Sequence, residues 1–182
     1  MRPLLNGGTL GRPEMTDALT GLPTHRDLLE DLPTAGAVAL WIDIDSLIWL
    51  NDQFGFEAGT AAVASVAKVL QNAVEPVEGR LFRVAGEEFL VVLPGFDRDS
   101  AVNLATKIVA AVTALQIPFR RLDKPVPKTL HVNVAVLTLD PERLQLSLGP
   151  HGLGDPIHAT AADAVYQEKL QRDLPAGVVA VV

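Results

Sequence analysis

The stretch RLFRVAGEEFLVVL, residues 80–93, decides the fold. Two short apolar runs, Arg80 to Val84 and Phe89 to Leu93, flank the tetrapeptide Ala85-Gly86-Glu87-Glu88. Runs of this length around a small, Gly-containing centre predict a β-hairpin with the tetrapeptide at its turn. The turn carries two adjacent acids at the tip of an otherwise apolar element. Like charges so placed are unfavourable unless something pairs with them.

Moving toward the N-terminus, Thr60 opens a predicted helix whose Val63, Val66, Ala67, Leu70 and Val74 recur at helical spacing. Before it, Ser46 is positioned to cap a short helix, LIWLNDQF, closed by Gly55. AVALWID, residues 37–43, reads as a strand buried on both faces and ends in a second acid cluster, Asp43 and Asp45. Thr24 is placed to cap a helix starting near His25, and residues 1–14 form a Gly- and Pro-containing leader.

Toward the C-terminus, Pro94, Gly95 and Asp97 break the chain. Asp99 or Ser100 then opens a helix with a core face of Val102, Ala105, Ile108, Val109 and Val112. A Pro-punctuated basic loop, PFRRLDKPVPK, precedes a strand over 130–139. An irregular Gly/Pro segment over 140–158 leads to a last helix over 159–172 and a final strand over 178–182. A strand-turn-strand unit inside an otherwise alternating pattern implies an α+β fold. Its mixed β-sheet carries a central antiparallel hairpin and is covered by helices. One domain is expected over 15–182.

Composition limits the function classes. The chain of 182 residues is 48% hydrophobic and 20% charged, a globular balance. Its net charge of -7 argues against nucleic acid or an anionic membrane surface as partner. There is no cysteine, so disulfides and thiolate chemistry are excluded. Neither a signal peptide nor a membrane-spanning segment is apparent, and a cytoplasmic protein is the expectation.

The two acid clusters carry the chemistry. A hard divalent cation such as magnesium prefers oxygen ligands and relieves the repulsion between carboxylates. If the hairpin lies beside the first strand, Asp43 and Glu87 can share an ion, and metal-assisted phosphoryl chemistry becomes available. Each cluster by itself also reads as solvated turn residues. His131 reads as a surface or packed histidine and Trp41 and Trp49 as packing residues. His151 and His158 make no metal pair at their spacing.

Five segments resemble the diguanylate cyclase (GGDEF) family in order and spacing. DALTGLPTHR (17–26) is similar to D-x-L-T-G-L-x-N-R-R. WIDIDSLIWLNDQFGFEAGT (41–60) is similar to D-I-D-x-F-K-x-I-N-D-x-x-G-H-x-x-G-D, and RVAGEEFLVVLP (83–94) to R-x-G-G-[DE]-E-F-x-x-x-L-P. LHVNVAV (130–136) resembles the late strand V-T-V-S-I-G-V, and ADAVYQEK (162–169) the closing helix A-D-x-A-L-Y-x-A-K.

The resemblance implies a palm-like fold related to nucleotide cyclases. It implies a domain that holds one GTP with Mg2+ or Mn2+, and a homodimer in which each 3′-hydroxyl attacks the partner's α-phosphate to give cyclic di-GMP. By position it implies Asp43, the Ile44 carbonyl, Glu87 and Glu88 as metal ligands. Glu87 and Glu88 are the catalytic acids in this reading. Asn51, Thr60, Gly86 and Lys169 are the implied nucleotide contacts.

Several positions depart from the pattern. Ala85 replaces the first signature glycine, which would strain the backbone if positive φ were required there. Thr60 replaces the guanine-reading aspartate, which opens purine choice to ATP. Ile48 replaces a lysine, Phe56 a histidine, and Asp173 an arginine, with Arg172 one position early. Pro76 and Gly79 fall where the family's R-x-x-D inhibitory product site would lie, so no such site is expected. Two outcomes stay open: a diguanylate cyclase, or a degenerate GTP-binding or protein-interaction module. A sensor or regulatory protein is an expected partner in either.

Overall fold

The computed structural model describes residues 16–24, 27, 37–119, 128–138 and 178–180. The elements in chain order are β1 (Val38–Ile44), α1 (Leu47–Phe54), α2 (Phe56–Val74) and a short 3-10 turn (Glu75–Val77). Then come β2 (Arg80–Ala85), β3 (Glu88–Leu93), α3 (Arg98–Thr113), β4 (Pro118–Phe119), β5 (Lys128–Thr129), β6 (Val132–Thr138) and β7 (Val178–Ala180).

Five strands form one mixed sheet in the order β2-β3-β1-β6-β7. The first three junctions are antiparallel and β6 runs parallel to β7. β4 and β5 make a separate antiparallel pair. β1 is the middle strand, and its run of buried residues reflects that place. Val38, Leu40, Ile42 and Ile44 join a core with Val63, Val66, Ala67 and Leu70 of α2 and Ala105, Ile108 and Val112 of α3. The opposite face is also buried, through Ala39, Trp41, Leu90, Ala135 and Leu137. A strand covered on both faces needs apolar residues at successive positions rather than alternation. This is the α+β palm arrangement the sequence predicts.

Local details correct several sequence expectations. Ser46 does stand before α1, but it adopts a left-handed φ of 64° and makes no capping bond. Its hydroxyl donates to Asp45 Oδ2 at 3.1 Å instead. The second helix begins at Phe56 rather than Thr60. Asp97, not Asp99 or Ser100, caps α3 by accepting from the Ser100 N–H at 2.8 Å. The core stripe of α3 is rotated: Ala101 and Leu104 are buried, while Val102 and Val109 flank it. The hairpin turn is only Gly86-Glu87, because Ala85 and Glu88 already pair with each other. The leader, the basic residues Arg120, Arg121 and Lys124, the loop over 140–158 and the helix over 159–172 lie outside the described residues.

Candidate nucleotide and cation site

The site grows from the C-terminal end of β1. There the ladder sets Asp43 opposite Glu88 of β3 on one side and Asn133 of β6 on the other. Directly paired residues of antiparallel strands project from the same face, with Cβ atoms about 4.5–5.5 Å apart. The next rung joins β1 to the turn itself, the Ile44 N–H donating to the Glu87 carbonyl at 3.2 Å. The strand end bearing the first acid and the turn bearing the paired acids are therefore adjacent. Asp43, Glu87 and Glu88 are all half-buried.

Asp45 belongs elsewhere. Its carboxylate Oδ2 lies 3.3 Å from His131 Nε2 and accepts from Ser46, and its N–H donates to the His131 carbonyl at 3.0 Å. His131, expected to be a surface or packed histidine, is partly buried and sits beside the acid cluster. It anchors the second acid toward β6, and Asp43 alone of the two shares a face with Glu88.

The turn is clasped from outside. The Arg83 guanidinium donates to the Gly86 carbonyl through Nη2 at 2.7 Å and Nε at 3.2 Å, and Nη1 lies 2.7 Å from Asp17 Oδ1. The Arg83 N–H donates to the Pro23 carbonyl at 2.9 Å. Asp17 closes its own turn, accepting from the Thr20 N–H and hydroxyl at 2.9 and 2.7 Å. Burial pushes the Asp17 carboxyl up, but the bonds from Thr20 and Arg83 and the guanidinium charge outweigh it and hold it below the ordinary value. Thr24 donates its N–H and hydroxyl to Asp27 Oδ2 at 2.8 and 3.2 Å, while the helix expected from His25 lies outside the described residues.

Gly86 carries φ 38°, and nothing lies within 4 Å of where a Cβ would stand. A side chain there would be strained by the backbone, not by neighbours. Ala85 has no positive φ, so the strain considered for its departure from glycine does not arise.

A second cluster forms where α1 meets α2. A Cβ on Gly59 would collide with Asn51 Oδ1, so only glycine admits the Asn51 side chain between the helices. Asn51 Oδ1 is buried and has no hydrogen-bond partner. Beside it, the Thr60 hydroxyl donates to the Phe56 carbonyl at 2.8 Å, which commits its proton and leaves lone pairs. Ile48 and Phe56 are 65% and 81% exposed, so neither replaces the missing cationic side chain by packing. Lys169, Arg172 and Asp173 lie outside the described residues.

Among the described residues, no three His, Asp or Glu side chains converge into a closed metal cage. Magnesium commonly takes only one or two carboxylates and completes its octahedron with water and substrate phosphates. An oxygen-only set of two facing carboxylates beside a turn acid fits such an ion. Arg83, Asp17, Gly59, His131 and Asn133 were given no role by the sequence. Register and the positions of distant turns were the missing information.

The profile described as "Diguanylate cyclase, GGDEF domain" matches residues 14–148. The chain is 35% identical over 102 residues to a diguanylate cyclase of Vibrio cholerae, covering 51% of this chain and 32% of that protein. It is 35% identical over 142 residues to the uncharacterized membrane protein SSP1970 of Staphylococcus saprophyticus, covering 72% and 39%. The chain thus spans about a third of the length of these curated relatives. The GGDEF domain of DgcB from Caulobacter crescentus, solved in complex with c-di-GMP, superposes with a TM-score of 0.69 at 22% identity, over 94% of this chain and 98% of that one. Among the described residues no helix is long and apolar enough to cross a membrane.

Proposed function

Because the chain belongs to the diguanylate cyclase GGDEF domain family, we propose that two copies condense two GTP into cyclic di-GMP, each new 3′–5′ bond releasing one pyrophosphate. The observation that carries this reading is the rung joining Asp43 to Glu88, with the Glu87 carbonyl bonded to Ile44 on the next rung. Asp43, the Ile44 carbonyl, Glu87 and Glu88 would hold Mg2+ or Mn2+. The ion, when bound, supplies charge neutralisation at the phosphate under attack and lowers the pKa of the attacking hydroxyl.

The chain's own residues orient the reactants. Arg83 steadies the turn that carries Glu87 through its carbonyl contact at Gly86. Glu87 is the acid assigned to draw the proton from the 3′-hydroxyl. The open space over Gly86 lets a nucleotide approach the backbone, and Lys169 is assigned to the phosphates. Each copy holds half of the reactants, so a homodimer is part of the proposal. A sensor or regulatory protein that brings copies together, and a cytoplasmic setting, complete it.

The base pocket supports a broader purine choice. Asn51 Oδ1, buried without a partner, and the Thr60 oxygen are both acceptors, but neither residue carries the two carboxylate oxygens that take a pair of N–H groups side by side. Adenine N6 and the guanine N1/N2 edge both offer donors. Loss of a bidentate base contact gives up about 1–3 kcal/mol of discrimination, by analogy with nucleic-acid readout. We assign GTP as principal substrate, with ATP accepted more readily than a carboxylate pocket would allow.

The test is mass spectrometry of products after incubation with Mg2+ and GTP, ATP or both, beside an Asp43→Asn, Glu88→Ala control. Cyclic dinucleotide that disappears in the control supports the reading. Nucleotide binding without product would instead indicate the degenerate regulatory module.

A further inference from the structure

We propose that Asn133 is a positioning residue of this site, its side-chain amide donating to the Asp43 carboxylate when a divalent cation is bound. The inference rests on the cation-and-nucleotide reading above and adds a residue to it. β1 lies between β3 and β6, and the two registers set Glu88, Asp43 and Asn133 in one row across three strands. Cross-strand partners share a face, so the three polar side chains stand side by side at one end of the sheet. Their neighbours Ile42, Ile44, Phe89, Val132 and Val134 point the other way, into the helix-covered core.

Asn133 is only 4% exposed, and its Nδ2 has no hydrogen-bond partner. An amide donor buried without an acceptor is costly, and such a group in a folded protein calls for an explanation. The adjoining side chain in the row is an acid with two oxygens. A carboxylate that turns one oxygen to a cation is best fixed by a donor on the other, and loss of such outer partners typically costs about 10–100-fold in metal affinity. His131 does not fill this role, because its ring is engaged with Asp45. The amide is thus a ready donor that the bound ion brings into use.

The test measures Mn2+ affinity of the whole chain by calorimetry, with a GTP analogue carrying a methylene between the α- and β-phosphorus atoms so that nothing turns over. Asn133→Leu keeps the approximate shape without the donor, and Asn133→Ser keeps a donor. Asn133→Leu is expected to lose about 10–100-fold in Mn2+ affinity while its metal-free Tm holds or rises. Asn133→Ser is expected to bind more tightly than Asn133→Leu. If the leucine does not fit, Asn133→Ala gives the same affinity comparison without added bulk. Wild-type Mn2+ affinity in the donor-free variant overturns the inference. So does a metal-free Tm that falls as far as the Mn2+-bound one, since that marks a purely structural role. A wild-type chain that takes up no Mn2+ with the analogue overturns the cation reading itself, and this inference with it.

Discussion

Replacing Arg83 by alanine removes one guanidinium and three contacts, two to the Gly86 carbonyl and one to Asp17. Hydrogen bonds to charged groups contribute about 1.5–3 kcal/mol each when sheltered. Here the pair is 15% and 25% exposed and the two Gly86 contacts share one acceptor, so solvent screening reduces the sum. A loss of about 2–3 kcal/mol is expected, or roughly 4–12 °C in Tm for a domain of this size. Part of it belongs to the Asp17 pair, and a double-mutant cycle with Asp17→Asn isolates that part at about 1 kcal/mol. The pH dependence has a defined sign. The folded pKa of Asp17 lies below the ordinary carboxylate value, so its stabilisation is present above that ordinary value and lost as pH falls through the folded pKa. Asp17→Asn should therefore flatten the acid limb of the stability curve below about pH 4. Thermal unfolding by circular dichroism at several pH values measures both effects. A coupling energy near zero, or an Arg83→Ala variant as stable as wild type, would show that the clasp does not hold the turn.

Three further substitutions test the rest of the site. Gly59→Ala puts a methyl into Asn51 Oδ1; overpacking of this kind costs about 1–3 kcal/mol, read as a lower Tm together with weaker nucleotide binding. Thr60→Asp restores a two-oxygen acceptor and should raise the preference for GTP over ATP by about 5–150-fold, the equivalent of about 1–3 kcal/mol; an unchanged ratio in competition assays would remove Thr60 from the base pocket. Ala85→Gly restores the family residue at a position without positive φ and should destabilise by about 0.5–1 kcal/mol through the flexibility of glycine in a strand; a gain in denaturation midpoint would show hidden strain.

The fold was legible because its decisive elements are local. Two apolar runs around Gly86 can only double back, and the long apolar repeat of α2 leaves one face to bury. The acids were legible by type and spacing, and the strand order then brought Asp43 to Glu88. What stayed hidden depends on register. Asn133 reads as an ordinary polar residue in a strand until β6 is paired to β1, and His131 cannot be linked to Asp45 before that ladder is known. Ser46 misled because capping chemistry presumes extended backbone at that position, whereas the sharp exit from β1 forces a left-handed residue. The α3 stripe kept Ala105, Ile108 and Val112 but took Ala101 and Leu104 in place of Val102 and Val109, because helical spacing alone leaves neighbouring faces of an apolar helix hard to tell apart. Arg83 joins segments that are 66 residues apart, a relation no spacing rule reports.

The middle location of β1 constrains how such a domain can be governed. Its backbone is stitched to a neighbour on each flank right up to Ile44. Any inhibitor that worked by prying one acid from its opposite number would have to unpick rungs of the central strand, at about 0.5–1.5 kcal/mol for each bond. Control is cheaper at the level of encounter. If two copies act together as proposed, a sensor that changes how often they meet leaves each one intact, and the same unit can then serve many different signals.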